Sequence, residues 1–325
     1  MEVKYNSAWE NSESPRVSII TPVYNRRKEL PRALSSVETQ SCQDFELIVI
    51  DDGSREEVDD ILAGFMDKVS FPVAFIKKEN GGVHTARNAG IRLSRGDYYL
   101  QLDSDDELVP DSVEIFLKAW DSIPRTLRHE YREVVGFCQD QSGVRIGGFV
   151  PEGINNLPFN QAKAIASSVD KGEKLGMLRG DIMRANLWPE PEGVTFVSEG
   201  LNWLILGSMY KSWYINDVVR IYHRETEVSY SNGVGKRSNQ QLINSLYNNL
   251  WFINNGYRYG LNTKAVINKN LWYNIMRHLL HWRKSYPKYD WAKAGIKNNW
   301  QKLFSILLWF PSIFPALLYS RKHSK

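Results

Sequence analysis

The 325-residue chain reads as an α/β protein with a mostly parallel sheet flanked by helices. Three observations predict this. Apolar strand-like runs alternate with helical stretches of ten or more residues through the first hundred positions, which is the signature of βαβ units and a parallel sheet. A polar, turn-forming cluster follows each of those runs. Hydrophobic residues make up 42% of the chain, enough for a substantial core.

The elements follow in order. Val17-Ser18-Ile19-Ile20-Thr21-Pro22 reads as a buried strand, and Arg27 to Gln40 as a helix with Leu30, Leu34 and Val37 on one face. Phe45 to Ile50 is a second strand, ending in Asp51-Asp52-Gly53-Ser54. A helix is expected from about Arg55 to Asp67, a third strand at Val73 to Ile76, a loop at Asn80-Gly81-Gly82, a helix from Val83 to Ser94 and a fourth strand from Asp97 to Leu102. After Pro110 the rhythm changes. Asp111 to Trp120 is helical, Glu133 to Val150 looks like strands around a Gly143 turn, and Lys174 to Leu187 mixes a short strand and a helix. A helix is expected to start near Ser198, and Trp213 to Tyr222 is strand-like. From Arg237 the chain looks helical and rich in Asn, Trp, Tyr and Lys. The expected divisions are residues 15–110, 111–225 and 226–325.

In sheets of this kind ligands bind at the carboxyl ends of the strands, so the polar clusters are expected to form one rim. Its most informative part is Gln101 to Glu107, which packs four carboxylates into the five residues Asp103 to Glu107. Crowded carboxylates raise one another's pKa unless something positive sits among them. Hard divalent cations prefer carboxylate oxygen, which points to Mg²⁺ or Mn²⁺ and, through it, to a diphosphate. Asp103 and Asp105 face one side of an extended strand, so they can share a metal or divide a metal and a ribose hydroxyl between them. A solvated acidic loop capping the next helix is the plainer reading, disfavoured by the four-strand pattern upstream.

Other strand ends carry further candidates. Asp52 can accept a nucleobase imide N–H or simply close an Asx turn. Tyr24 can stack on a base or pack at a core edge. Asn80 opens a loop whose glycines permit close backbone approach. Arg87 can contact a nucleotide, neutralise the acidic rim, or have no ligand role. In the second half, Glu199 opens a helix; it is either an acid placed for the helix dipole, with Ser198 as cap, or a general base aimed at an acceptor hydroxyl. Trp203, one turn on, can stack against a sugar ring. His223 ends a strand, where a neutral imidazole can complete a metal shell or hold a diphosphate, or serve a structural role.

Four blocks together resemble the family 2 glycosyltransferases, inverting enzymes of the GT-A fold. They are Val-Ser-Ile-Ile-Thr-Pro-Val-Tyr-Asn (17–25), Phe-Glu-Leu-Ile-Val-Ile-Asp-Asp-Gly-Ser (45–54), Asn-Gly-Gly-Val-His-Thr-Ala-Arg-Asn-Ala-Gly-Ile (80–91) and Gly-Asp-Tyr-Tyr-Leu-Gln-Leu-Asp-Ser-Asp-Asp (96–106). The resemblance is strong over residues 15–110, weak over 111–225 and slight beyond. It implies a GT-A type, Rossmann-like sheet, a nucleotide-diphospho-sugar donor and a Mn²⁺ or Mg²⁺ ion. It assigns Pro22, Tyr24 and Asp52 to the base, Asp103 to the ribose side and Asp105 to the metal. The family's base comes in many members from an acidic pair near the start of a later helix; here that place reads Ser-Glu-Gly, which leaves Glu199. The function implied is transfer of a hexose, from a UDP-sugar above all, to a glycan hydroxyl. The rival within this fold is a non-catalytic, membrane-associated binding or scaffold protein. A phospho-acceptor signalling domain would need a lysine that is not there, and a nucleotidyltransferase a Gly-rich, basic first loop where Pro22-Val23-Tyr24-Asn25 stands.

The net charge of +4 hides an asymmetry. Residues 264–325 hold twelve of the 41 Lys and Arg but one of the 37 acids, Asp290, so the rest carries 29 basic and 36 acidic groups, net −7. A basic tail on an acidic body suggests an anionic surface as partner. Residues 303–319 are apolar apart from two serines but contain Pro311 and Pro315, so 264–325 reads as a monotopic membrane-surface anchor. Such an anchor points to a polyprenyl-diphosphate-linked acceptor in bacterial O-antigen, capsule or teichoic-type synthesis. Nucleic acid fits the charge but not the enzyme. The amino terminus has no apolar signal-peptide core, and Cys42 and Cys138 are expected as reduced thiols. The protein is therefore expected in the cytoplasm, peripheral on the inner face of the inner membrane.

Overall fold

The computed structural model describes residues 1–157 and 172–223, with six further positions between 240 and 251. The chain forms two compact units, Met1–Pro189 with Leu206–Asn232, and Glu190–Ile205 with Gly233–Lys325.

The first unit begins with β1 (Glu2–Tyr5) and α1 (Ser7–Asn11), continues through β2 (Val17–Val23), α2 (Leu30–Glu38), β3 (Phe45–Asp51), α3 (Asp59–Lys68), β4 (Val73–Lys77), α4 (Val83–Leu93), β5 (Tyr98–Gln101) and β6 (Glu107–Leu108), then α5 (Ser112–Ser122), β7 (Tyr131–Asp140), β8 (Arg145–Ile146), β9 (Lys174–Arg179) and α6 (Gly180–Ala185). α7 (Glu199–Gly207) and β10 (Lys211–Tyr222) follow, and single 3-10 turns stand at Arg128–Glu130 and Ile154–Asn156. The sheet order is β1-β4-β3-β2-β5-β9-β7-β10-β6, with β8 on β7. β4, β3, β2 and β5 are mutually parallel, as are β7 and β10. The remaining neighbours pair antiparallel, so the sheet is mixed and mostly parallel at its centre.

Every residue of β2 and β3 is buried, as expected where helices cover both faces. Leu34 and Val37 of α2, Leu62 and Phe65 of α3, and Phe116 and Trp120 of α5 close over Ile19, Leu47, Val49, Phe75 and Leu100 in one core. α4 packs on β2 and β3. There Gly90 permits the approach: a Cβ at that position would lie 2.7 Å from Ile20 Cγ2 and 2.8 Å from Ile50 Cδ1.

Three elements begin or run otherwise than the sequence predicts. α2 starts at Leu30 rather than Arg27, because residues 26–29 form the turn that carries Arg26 to the site; Leu30 N–H bonds Arg26 O at 2.9 Å. α3 starts at Asp59 rather than near Arg55, whose N–H is taken by Asn25 Oδ1 at 2.9 Å. β1 gave no sequence signal because it is a mostly exposed edge strand, held by pairing with β4 rather than by burial.

In the second unit, Gln240, Asn244 and Asn248 are helical and, spaced four apart, share a face. Asn244 Oδ1 accepts Thr195 N–H at 2.9 Å and its amide donates to Thr195 Oγ1 at 3.0 Å. Asn248 Oδ1 accepts Ser198 N–H at 2.7 Å and its amide donates to Phe196 O at 3.0 Å. These side chains do for residues 195–198 what a sheet partner would do. The tail anchor expected over 264–325 lies outside the described residues, as does most of the 226–325 extension. Among the described residues no helix is long and apolar enough to cross a membrane. Cys42 and Cys138 are free thiols.

Two predictions follow from this packing. Gly90→Ala gains about 1 kcal/mol of helix propensity, but the overlap with Ile20 and Ile50 costs about 1–3 kcal/mol. Chemical denaturation will show net destabilisation, and equal or greater stability than the parent would refute the close contact. Asn248→Ala strips partners from Ser198 N–H and Phe196 O and will destabilise by about 1–3 kcal/mol. Hydrogen exchange at Ser198 will accelerate with it, while β2 and β3 keep their protection.

Candidate functional site

The site is built from loops at the carboxyl ends of β2, β3, β4 and β5, where strand pairing stops and polar groups need other partners. After β2, Tyr24 stands 45% exposed at the rim, while Pro22 is buried within the strand, in register with Ile50. Asn25 adopts a left-handed φ of 53°, uncommon for a side-chain-bearing residue. It is held there by its backbone N–H, which donates to Ser54 Oγ at 2.9 Å, and by its side-chain Oδ1, which accepts Arg55 N–H at 2.9 Å. The loops after β2 and β3 are thus tied together.

Asp51 and Asp52 have different work. Asp51 Oδ1 accepts Ser54 N–H at 2.9 Å and closes the turn. Asp52, 2% exposed, holds the next loop. Its Oδ1 accepts Lys78 Nζ at 2.5 Å and Gly81 N–H at 3.0 Å; its Oδ2 accepts Gly82 N–H at 2.8 Å and the Asn80 amide at 3.2 Å. Asn80 Nδ2 also donates to Asp52 O at 2.8 Å. A carboxylate has about four lone-pair positions, and here all are used. Lys78 further donates to Thr85 Oγ1 at 2.9 Å. Gly81 is required beside that bridge, since its Cβ would lie 2.7 Å from Thr85 Oγ1, and Gly82 turns at φ 95° into α4.

The acidic run is compensated by side chains from four other parts of the chain. Asp103 Oδ1 accepts Gln101 Nε2 at 2.8 Å and lies 3.5 Å from Arg87 Nη2; Arg87 is buried on α4, its guanidinium 5.8 Å from the Trp188 ring centroid. Asp105 Oδ2 lies 3.4 Å from Arg26 Nε, and its backbone oxygen accepts a bond from Arg32. Asp106 is buried, 3.3 Å from Arg220 Nη1, and its Oδ1 accepts His223 N–H at 3.0 Å. Glu107, which is the first residue of β6 and not a helix-start acid, meets His223 Nε2 at 2.6 Å and Arg32 Nε at 3.6 Å. Arg220 is itself fixed by Cys138 Sγ, 3.2 Å from its Nε.

The balance is incomplete where it matters. Burial pushes the Asp106 carboxyl up to about 7 in spite of Arg220. Asp105, whose side chain is 24% exposed, is also raised, first by burial and then by the Asp103 charge, against a lesser opposing effect of Arg26. A carboxylate raised by a neighbouring acid at an open rim gains from an added cation. Among the described residues no three His, Cys, Asp or Glu side chains converge as a closed metal site. Mg²⁺ and Mn²⁺ sites for nucleotides do not need one, since one or two carboxylates suffice when phosphate and water supply the other oxygens. The donor set therefore fits such an ion.

The structure brings Pro22, Tyr24, Asp52, Asn80, Arg87, Asp103, Asp105 and His223 into the first unit, at the strand-end rim or on the elements that border it. Glu199 and Trp203 belong to the second unit. Glu199 begins α7, with Ser198 Oγ accepting Gly200 N–H at 3.2 Å as a cap. Sequence reading missed Lys78, Arg26, Arg32 and the partnership of Glu107 with His223. The surplus acid at 103–107 was itself a signal to look for basic partners, but which ones is set by folding.

Residues 18–129 match the family model Glycosyl transferase family 2. An uncharacterized glycosyltransferase of Rickettsia prowazekii is 38% identical over 105 residues, covering 32% of each chain. Chondroitin synthase of Escherichia coli is 42% identical over 104 residues, covering 32% of this chain and 15% of that one. The chain spans about a third of the length of the first such relatives. Among solved structures, S. aureus TarS 1–349 in complex with UDP-GlcNAc superposes with a TM-score of 0.55 at 14% identity, over 90% of this chain and 89% of that one. The mannosyltransferase PcManGT from Pyrobaculum calidifontis, in complex with GDP-Man and Mn²⁺, gives 0.51 at 14%, over 97% and 89%. At that identity the likeness speaks for the fold alone. The four matched strand ends, the sheet that carries them and the family match agree: the segment 18–129 of this chain belongs to glycosyl transferase family 2, on a GT-A fold.

Proposed function

We propose that the chain is an inverting, metal-dependent glycosyltransferase, moving a hexose from a nucleotide-diphospho-sugar, UDP-linked, to a glycan hydroxyl. The observation that carries this is the pair Asp103 and Asp105 at the end of β5, with Asp105 raised by burial and then by the Asp103 charge, beside a loop after β4 that Asp52 holds in place. The complexes of TarS with UDP-GlcNAc and of PcManGT with GDP-Man and Mn²⁺ support a nucleotide-sugar donor and a divalent ion. Residues 15–110 form the donor half in this reading, 111–225 the acceptor half, and 226–325 a basic, aromatic extension.

Tyr24, Pro22 and Asn80 border the base; Asp52, its oxygens engaged by Lys78, Asn80, Gly81 and Gly82, serves the base by exchanging one of these bonds for the imide or through the loop it clamps. Asp103, oriented by Gln101 and Arg87, takes the ribose side. Asp105, with His223, holds the Mn²⁺ or Mg²⁺. When bound, that ion neutralises charge building on the departing diphosphate. Glu199 accepts the proton of the acceptor hydroxyl, and Trp203 stacks on the acceptor sugar. The hydroxyl oxygen bonds to the anomeric carbon as the carbon–phosphate-oxygen bond breaks in line, and the electron pair leaves with the nucleoside diphosphate. One displacement inverts the centre. The acceptor in this reading is polyprenyl-diphosphate-linked, in bacterial surface polysaccharide synthesis, and the protein works peripherally on an anionic cytoplasmic membrane face. The relation to a bacterial chondroitin synthase is compatible with polymer synthesis.

A thermal-shift panel of nucleotide sugars with Mn²⁺ will show a stabilising shift with a UDP-sugar, and Asp105→Ala will abolish it; absence of a shift with any nucleotide sugar would sink the transferase reading. Glu199→Gln will keep the donor shift and lower transfer by at least about 10²-fold, the range expected of a general base. Full transfer by that variant would move the base elsewhere.

A further inference from the structure

The short strand β6 has only two residues, yet it holds β10, the last of the described strands, against the acidic turn. Arg220 pairs with Leu108 and Ile221 with Glu107 across β10 and β6. The same junction carries Arg220 on Asp106 at 3.3 Å, His223 N–H on Asp106 Oδ1 at 3.0 Å, and Ser112 Oγ on Val219 O at 2.5 Å. His223 is thereby delivered to the turn with its backbone fixed. Its ring is fixed separately, because Nε2 meets Glu107 Oε1 at 2.6 Å, with both side chains partly buried.

An ionised carboxylate only accepts, so a hydrogen bond at this contact requires the proton on Nε2. A neutral imidazole with its proton on Nε2 has its lone pair on Nδ1. Histidines that ligate metals commonly give their other ring N–H to a carboxylate, which sets ring angle and tautomer. Nδ1 of His223 makes no bond among the described residues. We propose that Glu107 is the positioning residue for His223: it holds the Nε2 proton and so presents Nδ1 to the metal-diphosphate of the donor. The inference rests on the transferase reading above. It separates Glu107 from the acids that meet the ion, Asp103 and Asp105, and gives it a task performed only through the histidine.

The test uses the full chain. Mn²⁺ is titrated by electron paramagnetic resonance in the presence of saturating UDP, for the parent, Glu107→Ala, Glu107→Gln, His223→Ala and the double variant. Nitrogen-15 NMR of the metal-free parent and of Glu107→Gln reports where the His223 proton sits. We expect the proton on Nε2 in the parent, and Mn²⁺ affinity about 10–100-fold weaker in Glu107→Ala. Glu107→Gln, whose amide oxygen accepts the same bond, will retain most of the affinity and guards against a variant that merely fails to fold. The double variant will be no weaker than His223→Ala, since Glu107 acts through that ring. Losses that multiply in the double variant, or a proton on Nδ1, would overturn the proposal. Mn²⁺ binding by the parent that is indifferent to Glu107→Ala would overturn it alone, whereas no Mn²⁺ binding by the parent overturns the metal-dependent transferase reading as well.

Discussion

The acids of residues 103–107 stand closer together than their charges allow, and the arrangement around them is the cost of keeping them there. Arg26 and Arg32 come from the turn and helix after β2, Arg87 from α4, and Arg220 with His223 from the far end of β10. These segments are separated by up to two hundred residues and meet at this turn. Removing one partner of a buried pair such as Arg220 and Asp106 leaves an uncompensated charge, at about 3–5 kcal/mol. The turn is therefore a fixed feature of the fold rather than a loose loop. Its compensation stops short at Asp105, which stays raised by burial and by Asp103. The four arginines hold the turn, and Asp103 and Asp105 face its more open side, where a divalent ion would fit.

A second constraint sits one strand over. Asp52 spends both oxygens on Lys78, Asn80, Gly81 and Gly82, which ties the loop entering α4 to the end of β3. The glycines follow from it: Gly82 needs a positive φ, and Gly81 lies against the Lys78–Thr85 bridge. The same loop leads into the helix that bears Arg87, which reaches Asp103. The two parts of the rim are therefore linked through α4, and α4 lies close on the sheet because residue 90 has no side chain.

Much of this was legible in the sequence. The parallel strands Val17–Val23, Phe45–Asp51 and Val73–Lys77 are largely apolar because both faces are covered, and the polar clusters at their ends mark the rim in the sequence. Asp51 as turn residue and Ser198 as helix cap were readable from local chemistry. What could not be read was pairing across the chain. Nothing local marks Lys78 as the partner of Asp52, or Glu107 as the partner of His223, since both depend on register between distant segments. Asn244 and Asn248 stand in a stretch legible only as helical and rich in Asn, yet their amides hold residues 195–198. The edge strand β1 escaped because its residues are mostly exposed and carry no apolar pattern.

The central claim is that the turn at Asp103 and Asp105 is where a metal and a sugar-nucleotide diphosphate meet for chemistry, not for storage. Release of UDP from a UDP-sugar by the purified chain, followed with Mn²⁺ and after chelation, tests it most directly. The account predicts slow release to water without acceptor, dependent on Mn²⁺ and abolished by chelator. Tight, metal-dependent binding of the UDP-sugar with no release, either to water or to any glycan acceptor, would contradict it and leave a binding protein on a transferase fold.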